Sequence, residues 1–198
     1  MTGIDQLIAQ AQTLLRQVPF DAAHDFEHHQ LVVEHCSKLV DTEQLDLGYD
    51  ALMTAAWWHD VNKSYKTENS YDETVVFFHE NAKKLGVAES FVQQCTTIIR
   101  EHAFNSEQTC IESQVLFDAD KIEYANAERI DKLVVAFTTD QKEYSDAIIQ
   151  ETYDIWSTRL SVLPERFHFE TARQLFLHNL PEAQTSLERM RRLIGGRS

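Results

Sequence analysis

The sequence predicts an all-α protein, and three observations lead to that prediction. The chain has only five glycines and three prolines in 198 residues, whereas these two types together make up about 12% of an average protein. Because few turn-forming residues imply few connections, long helices are favoured over many short strands. Apolar residues also recur at helical spacing along most of the chain. The hydrophobic content of 43% is close to that of globular proteins, so a packed core is expected.

The first third of the chain contains three predicted helices. Apolar residues repeat every three or four positions over about 4–18, and Pro19 ends this pattern. A second amphipathic stretch covers about 25–40. The third helix, about 50–61, is apolar on nearly every side, and such a helix is expected at the centre of a bundle.

The middle of the chain alternates helices with polar connections. Gly86 follows one helical pattern directly, and glycine is the residue most often found just after a helix ends. The predicted segments are, in order, a loop at 62–70, a helix at about 71–85, a helix at about 88–103, a connection at 104–111, and a helix from near Glu112 through Asp120.

The last third is also predicted to be helical. Helical patterns cover about 127–138 and about 141–162, and Pro164 ends the second of them. Two further segments, about 169–179 and about 182–194, are predicted to form a helical hairpin around Pro181. No repeat, low-complexity tract or Gly/Ser-rich linker indicates a second domain, so one domain over 1–198 is predicted.

Composition limits the partners of the protein. Eighteen Lys and Arg against 32 Asp and Glu give a net charge of −14, which repels duplex nucleic acid and anionic lipid. A local pocket for one small phosphate group stays compatible with this charge.

Three cysteines without a CxxC pair fit a reducing compartment. No signal peptide and no apolar run of about 18 residues is found, so a cytoplasmic protein without a membrane partner is expected. The oligomeric state is left open, a homodimer included.

The pair His59-Asp60 carries the first chemical signal. It closes the most apolar helix of the chain, and a buried carboxylate is costly unless it is paired or binds a metal. The pair can therefore belong to a metal site, or it can mark a helix end that reaches water. Taken alone, the two residues leave both interpretations open.

Three segments together resemble the HD-domain superfamily of metal-dependent phosphohydrolases. They are HDFEHHQLVV at 24–33, AAWWHDV at 55–61 and FDADKIEYA at 117–125. The resemblance covers most of the chain up to about residue 125, and it is more specific for the superfamily than for a substrate. It implies an all-α HD-domain helical bundle with a metal site at its centre. The core would span about 20–125, and about 126–198 would form a helical C-terminal extension.

The resemblance also implies a ligand set. By it, His28, His59, Asp60 and Asp120 bind one divalent cation. Two imidazoles and two carboxylates suit Mn²⁺, Fe²⁺, Co²⁺, Ni²⁺, Zn²⁺ or Mg²⁺, and four protein ligands on an octahedral ion leave positions for water and a substrate oxygen. The implied activity is hydrolysis of a small phosphate ester by metal-activated water, with a nucleotide as the leading substrate. No organic cofactor is implied.

Three further residues are candidates for catalysis. His79 and His102 match positions where many HD-domain proteins carry additional histidines, which face the substrate phosphate, donate a proton or hold a second metal. Each can instead be a helix-end histidine bonded to a carbonyl. Lys63 follows the His-Asp pair closely and can contact a phosphate, or it can be a solvated cation at the helix end.

The remaining histidines have weaker assignments. His24 precedes His28 by four residues and is expected to assist the site rather than to bind the metal. His29 is expected to be exposed, because successive helical side chains diverge by about 100°. His35 is expected in the core, and no family pattern reaches His168 or His178.

The sequence departs from the family at two points. Leu31 stands where many members carry an arginine, three residues after the first metal histidine. Asn62 and Lys63 follow the His-Asp pair, whereas members that hydrolyse guanosine alarmones place acidic residues there. An alarmone substrate is therefore disfavoured.

Two alternative functions are left open. Some HD-domain proteins are di-iron oxygenases, and His28, His59-Asp60, His79, His102 and Asp120 reproduce the order of their ligands. A non-catalytic regulatory module that keeps its metal for structure is the other alternative. No P-loop, dinucleotide-binding turn or nucleophile elbow is present in the sequence.

Overall fold

The computed structural model describes residues 2–17, 23–61, 70–139 and 144–196, and no strand occurs in these ranges. The all-α prediction is confirmed. No helix of the described part is long and apolar enough to cross a membrane. The α-helices are α1 (Gly3–Gln17), α2 (Phe26–Glu43), α3 (Tyr49–Trp58), α4 (Ser70–Lys84), α5 (Glu89–Glu101), α6 (Ile111–Ile122), α7 (Ala127–Thr139), α8 (Asp146–Val162) and α9 (Glu170–Gly196).

The contacts of the backbone divide the chain into two compact units. The first ends at Asp120 and the second begins at Lys121. The predicted single domain over 1–198, with a core at about 20–125, stays a prediction.

Helix α3 is the centre of the first unit, as its composition predicts. It packs against α1, α2 and α5, and every residue from Ala51 to Asp60 is buried. The indole of Trp58 is fully enclosed, and its Nε1 donates a hydrogen bond of 3.1 Å to the carbonyl oxygen of Leu7. The end of α3 is therefore fixed deep inside this unit.

Capping residues set the ends of the neighbouring helices. The carboxylate of Asp25 accepts a 2.9 Å hydrogen bond from the backbone N–H of His28, which satisfies one of the free amides at the start of α2. Gly86 has the left-handed conformation, with φ of +65°, and Val87 N–H returns to Ala82 O at 3.1 Å. This is a Schellman ending of α4, in the place where the sequence predicts a glycine-terminated helix.

The second unit is formed by α7, α8 and α9. Helix α9 packs against both of the others. The indole Nε1 of Trp156 donates a 3.1 Å hydrogen bond to Tyr124 O. Helix α8 begins at Asp146, later than the predicted start at 141, and the hydroxyl of Ser145 accepts the N–H of Ile148 at 3.3 Å. Residues 140–143 lie outside the described ranges.

The predicted hairpin around Pro181 is wrong. Helix α9 is continuous over Glu170–Gly196 with Pro181 inside it. Proline costs a helix its own backbone donor and crowds the preceding turn, but Pro181 is exposed, so water can reach the crowded turn. Apolar residues on both sides of the proline continue one buried face: Phe176, Ala183, Leu187 and Met190. Packing of that face keeps the helix intact across the proline.

Candidate metal centre

The four residues of the implied ligand set meet inside the first unit. His28 lies in the first turn of α2, His59 and Asp60 follow the last residue of α3, and Asp120 lies near the end of α6. All four side chains are buried, with at most 4% of any residue exposed. Residues distant in the sequence are thus brought to one enclosed place by three helices.

The ligand atoms face one another across a small space. His28 Nε2 lies 3.3 Å from His59 Nε2 and 3.4 Å from Asp120 Oδ1. His59 Nε2 lies 3.9 Å from the same oxygen of Asp120 and 3.7 Å from Asp60 Oδ2. Separations of this size between ligand atoms are those expected around a single cation with bonds of about 2.0–2.2 Å.

The protonation state of His59 suits metal binding. Its Nδ1 lies 2.7 Å from Ala56 O, and because a carbonyl oxygen only accepts, the proton is on Nδ1 and the lone pair is on Nε2. Burial lowers the pKa of His59 well below 6.5, although the charge of Asp60 acts in the opposite direction. The imidazole is therefore neutral near pH 7, which is the form that binds metals.

The chemistry of the cluster fits a divalent cation. Side chains of His28, His59 and Asp60 each offer a ligand atom within 4.8 Å of the others, and no second such group of three occurs among the described residues. Asp120 adds a second buried carboxylate. Both carboxylates lie beside the imidazole of His59 and lose their hydration on burial, and a divalent cation offsets that cost. The residues present therefore fit the implied metal.

His102 belongs to the same cluster. Its side chain is fully buried, and its Nδ1 donates to Ile99 O, which leaves its Nε2 to face the cluster. That Nε2 lies 3.7 Å from Asp60 Oδ1. The rings of His102 and His59 are 5.0 Å apart and nearly perpendicular.

The other two candidate catalytic residues are not brought to the cluster by any described contact. His79 Nε2 makes a 2.8 Å hydrogen bond with Thr96 Oγ1 on α5, and the side chain lines a surface cleft with Glu80 and Lys83. Lys63 lies outside the described residues. The catalytic roles of His79, His102 and Lys63 stay predictions.

The structure corrects the prediction for His29. This residue is fully buried, not exposed, because its ring points inward beside that of His28 in the first turn of α2. Its ring lies 4.6 Å from the ring of His59. A signal was available in the sequence: Val32 is three residues after His29 and four after His28, so both histidines share the face of a core valine.

His24 also lies at the cluster. It is buried, and its Nε2 lies 3.5 Å from Asp60 Oδ2. The assisting role expected for it stays a prediction. His35, expected in the core, is only half-buried.

A hydrogen-bonded carboxylate joins the elements that carry His102 and Asp120. Glu101, at the end of α5, accepts hydrogen bonds from Thr109 N at 2.8 Å, from Thr109 Oγ1 at 2.6 Å and from Ser113 Oγ at 2.6 Å. Burial acts to raise the pKa of Glu101, but these hydrogen bonds outweigh it and hold the pKa below its usual value. Glu101 thus ties the end of α5 to the start of α6.

Comparison with known proteins adds information about the fold. No family model matches the sequence, and no curated protein matches it. Among solved structures, YpgQ from Bacillus subtilis in complex with ADP is similar, with a TM-score of 0.64, 20% identity and coverage of 96% of this chain and 98% of that one. A structural genomics target from Lactobacillus plantarum has a TM-score of 0.71 and 16% identity, covering 98% of this chain and 97% of that one. At such identities the likeness shows a shared all-helical fold.

Proposed function

We propose that the protein is a metal-dependent phosphohydrolase of the HD-domain type, acting on a small phosphate ester with a nucleotide as the leading substrate class. The observation that carries the proposal is the meeting of His28, His59, Asp60 and Asp120 at distances of 3.3–3.9 Å. The HDFEHHQLVV, AAWWHDV and FDADKIEYA segments, which resemble that superfamily, supply these four residues.

The four residues would hold one divalent cation, which when bound polarises a phosphate oxygen and lowers the pKa of a bound water. The chain itself keeps the ligand side chains in the protonation state that binds a metal. His59 is kept in the Nδ1–H tautomer by Ala56 O. The enclosed, largely apolar surroundings of α3 strengthen electrostatic interactions with a bound anion.

His102 is the described residue best placed for proton transfer. Its Nδ1–H donates a hydrogen bond to Ile99 O, and its Nε2 faces the carboxylate of Asp60. When protonated on Nε2, this imidazole can donate to a leaving oxygen or to a phosphate oxygen next to the metal centre. The proposal gives His102 that role and leaves His79 and Lys63 as further candidates.

Two observations support a nucleotide as substrate. YpgQ, which shares the fold at 20% identity, was crystallised with ADP. A net charge of −14 disfavours polyanions such as duplex nucleic acid, whereas a metal centre can bind the phosphate group of a single nucleotide locally. A small phosphate ester is therefore preferred over a polymer.

One observation favours a second candidate function. The two oxygens of Asp60 face different imidazoles, Oδ2 toward His59 at 3.7 Å and Oδ1 toward His102 at 3.7 Å. A carboxylate that bridges two metal ions has this arrangement, and a di-iron oxygenase would use it. The contact of His79 with Thr96 must then open before His79 can join a second ion.

A phosphate-release assay tests the proposal. Protein stripped of metal and reloaded with Mn²⁺ is expected to release inorganic phosphate from nucleoside mono-, di- or triphosphates. A chelator should stop the release and excess Mn²⁺ should restore it, because the activity depends on the cation. ADP is the first substrate to assay.

The Asp120→Asn variant is the matched control for this assay. It preserves the shape of the side chain but removes a charged ligand, so it should release phosphate at background rate. A manganese-loaded protein that is inert on every phosphate ester would support the regulatory alternative. Two irons per chain with iron-dependent oxygen uptake would support the oxygenase.

A further inference from the structure

The imidazole of His29 is buried beside the metal centre without being one of its four proposed ligands. No part of the residue is exposed, and its Nε2 has no hydrogen-bond partner among the described residues. A buried polar atom of this kind costs free energy, so a compensating role is expected.

The position of the His29 ring is fixed by the start of α2. Its Nδ1 lies 2.9 Å from the carbonyl oxygen of Asp25, and the backbone N–H of His29 donates to the same oxygen at 3.3 Å. Since the carbonyl oxygen only accepts, Nδ1 carries the proton. The Asp25 side chain in turn caps the helix at His28 N–H. One turn of chain therefore holds both His28 and the ring of His29.

That ring packs closely against His59. The two ring centroids are 4.6 Å apart and the planes are inclined by 38°, a tilted contact at the close end of the range for aromatic pairs. His59 is also held by the hydrogen bond from Nδ1 to Ala56 O and by contacts with the rings of His28 and His102. The ring of His29 is the nearest of these three rings to His59, so its loss removes the closest of these packing partners of that imidazole.

We propose that His29 is a positioning residue, whose ring packs against the His59 imidazole and holds it in the orientation that binds the metal. This inference deepens the proposed function and rests on the same metal centre, but not on the reaction catalysed there. Groups that orient a metal ligand without touching the metal typically change its affinity by about 10–100-fold when removed.

Titration of the metal-stripped full-length chain with Co²⁺ tests this role through the affinity and the visible absorption spectrum of the bound ion. Three variants distinguish the effect of the aromatic ring of His29 from the effect of its Nδ1–H group. His29→Ala lacks both, His29→Asn keeps a donor for Asp25 O, and His29→Phe keeps only the ring. We expect the dissociation constant to rise about tenfold or more for the alanine and asparagine variants and to change less than about threefold for the phenylalanine variant.

Leu39→Ala is the matched control, because Leu39 is equally buried in α2 but lies about three helical turns after His28 and His29. It should lower the thermal stability of the protein without changing the Co²⁺ affinity or spectrum. The inference is overturned by a His29→Ala variant that binds Co²⁺ like the wild type. It is also overturned by a His29→Phe variant that binds as weakly as His29→Ala.

These outcomes are independent of the proposed hydrolysis. A wild-type protein that binds Co²⁺ but cleaves no phosphate ester would remove the proposed function and leave the role of His29 testable by affinity. Conversely, unchanged Co²⁺ binding in His29→Ala would remove only the positioning role.

Discussion

Replacement of His59 by alanine is expected to abolish metal retention and to reduce phosphate release by about three orders of magnitude or more. His59 Nε2 lies within 3.9 Å of ligand atoms on His28, Asp60 and Asp120, so its loss removes a nitrogen that is close to all three. A thousandfold loss corresponds to about 4 kcal/mol of transition-state stabilisation, which is within the several kcal/mol that a metal ion contributes as a Lewis acid. Metal content by mass spectrometry and initial rates of phosphate release measure the two effects.

Asp60→Ala is expected to give the same result, since it removes a buried carboxylate from the same set. His178→Ala is the matched control, because His178 is an exposed histidine of the second unit. It should keep its metal and its activity. If His59→Ala retained full metal content and full activity, the ligand assignment would be wrong.

The second large effect concerns stability. Replacement of Trp58 by alanine is expected to destabilise the protein by about 3–5 kcal/mol, the cost of removing a large buried aromatic side chain. The indole is fully buried, contacts the rings of Phe77 and Phe78, and donates to Leu7 O. Its loss would leave a cavity and remove the hydrogen bond that joins α3 to α1. Urea unfolding followed by circular dichroism measures the change.

Trp58→Phe separates the two contributions. It keeps an aromatic ring in the cavity but loses the indole donor, so it should cost clearly less than the alanine variant, by the difference between a cavity and a single hydrogen bond. A Trp58→Ala protein with an unfolding midpoint equal to that of the wild type would contradict the central position of α3.

Much of the fold could be predicted from local sequence, because helices such as α1 and α5 bury one apolar face, whereas α3 is buried on every side. The all-apolar segment at 50–61 indicated its own central position, and Gly86 indicated the end of α4. Pro181 misled the prediction, because the local penalty of a proline is smaller than the packing of a face that continues from Phe176 to Met190. That packing is a tertiary property, which periodicity around one residue does not show.

Some residues of the candidate site could be predicted from the sequence, and others could not. His28, His59, Asp60 and Asp120 could be proposed because ordered segments resembled a known family, whereas composition and spacing alone left the His-Asp pair ambiguous. A rotation of 100° per residue separates His29 from His28 and so predicts exposure, whereas the spacing of both histidines to the buried Val32 is the signal that agrees with their burial. The contact between His79 and Thr96 depends on how α4 packs on α5, which the sequence does not encode locally.

The central claim is that His28, His59, Asp60 and Asp120 bind one common cation. Crystals grown with Mn²⁺ and measured near the manganese absorption edge test it most directly. The expected result is an anomalous peak within bonding distance of the Nε2 atoms of both histidines and of an oxygen of each aspartate. Manganese bound elsewhere, with His28 and Asp120 directed away from each other, would contradict it.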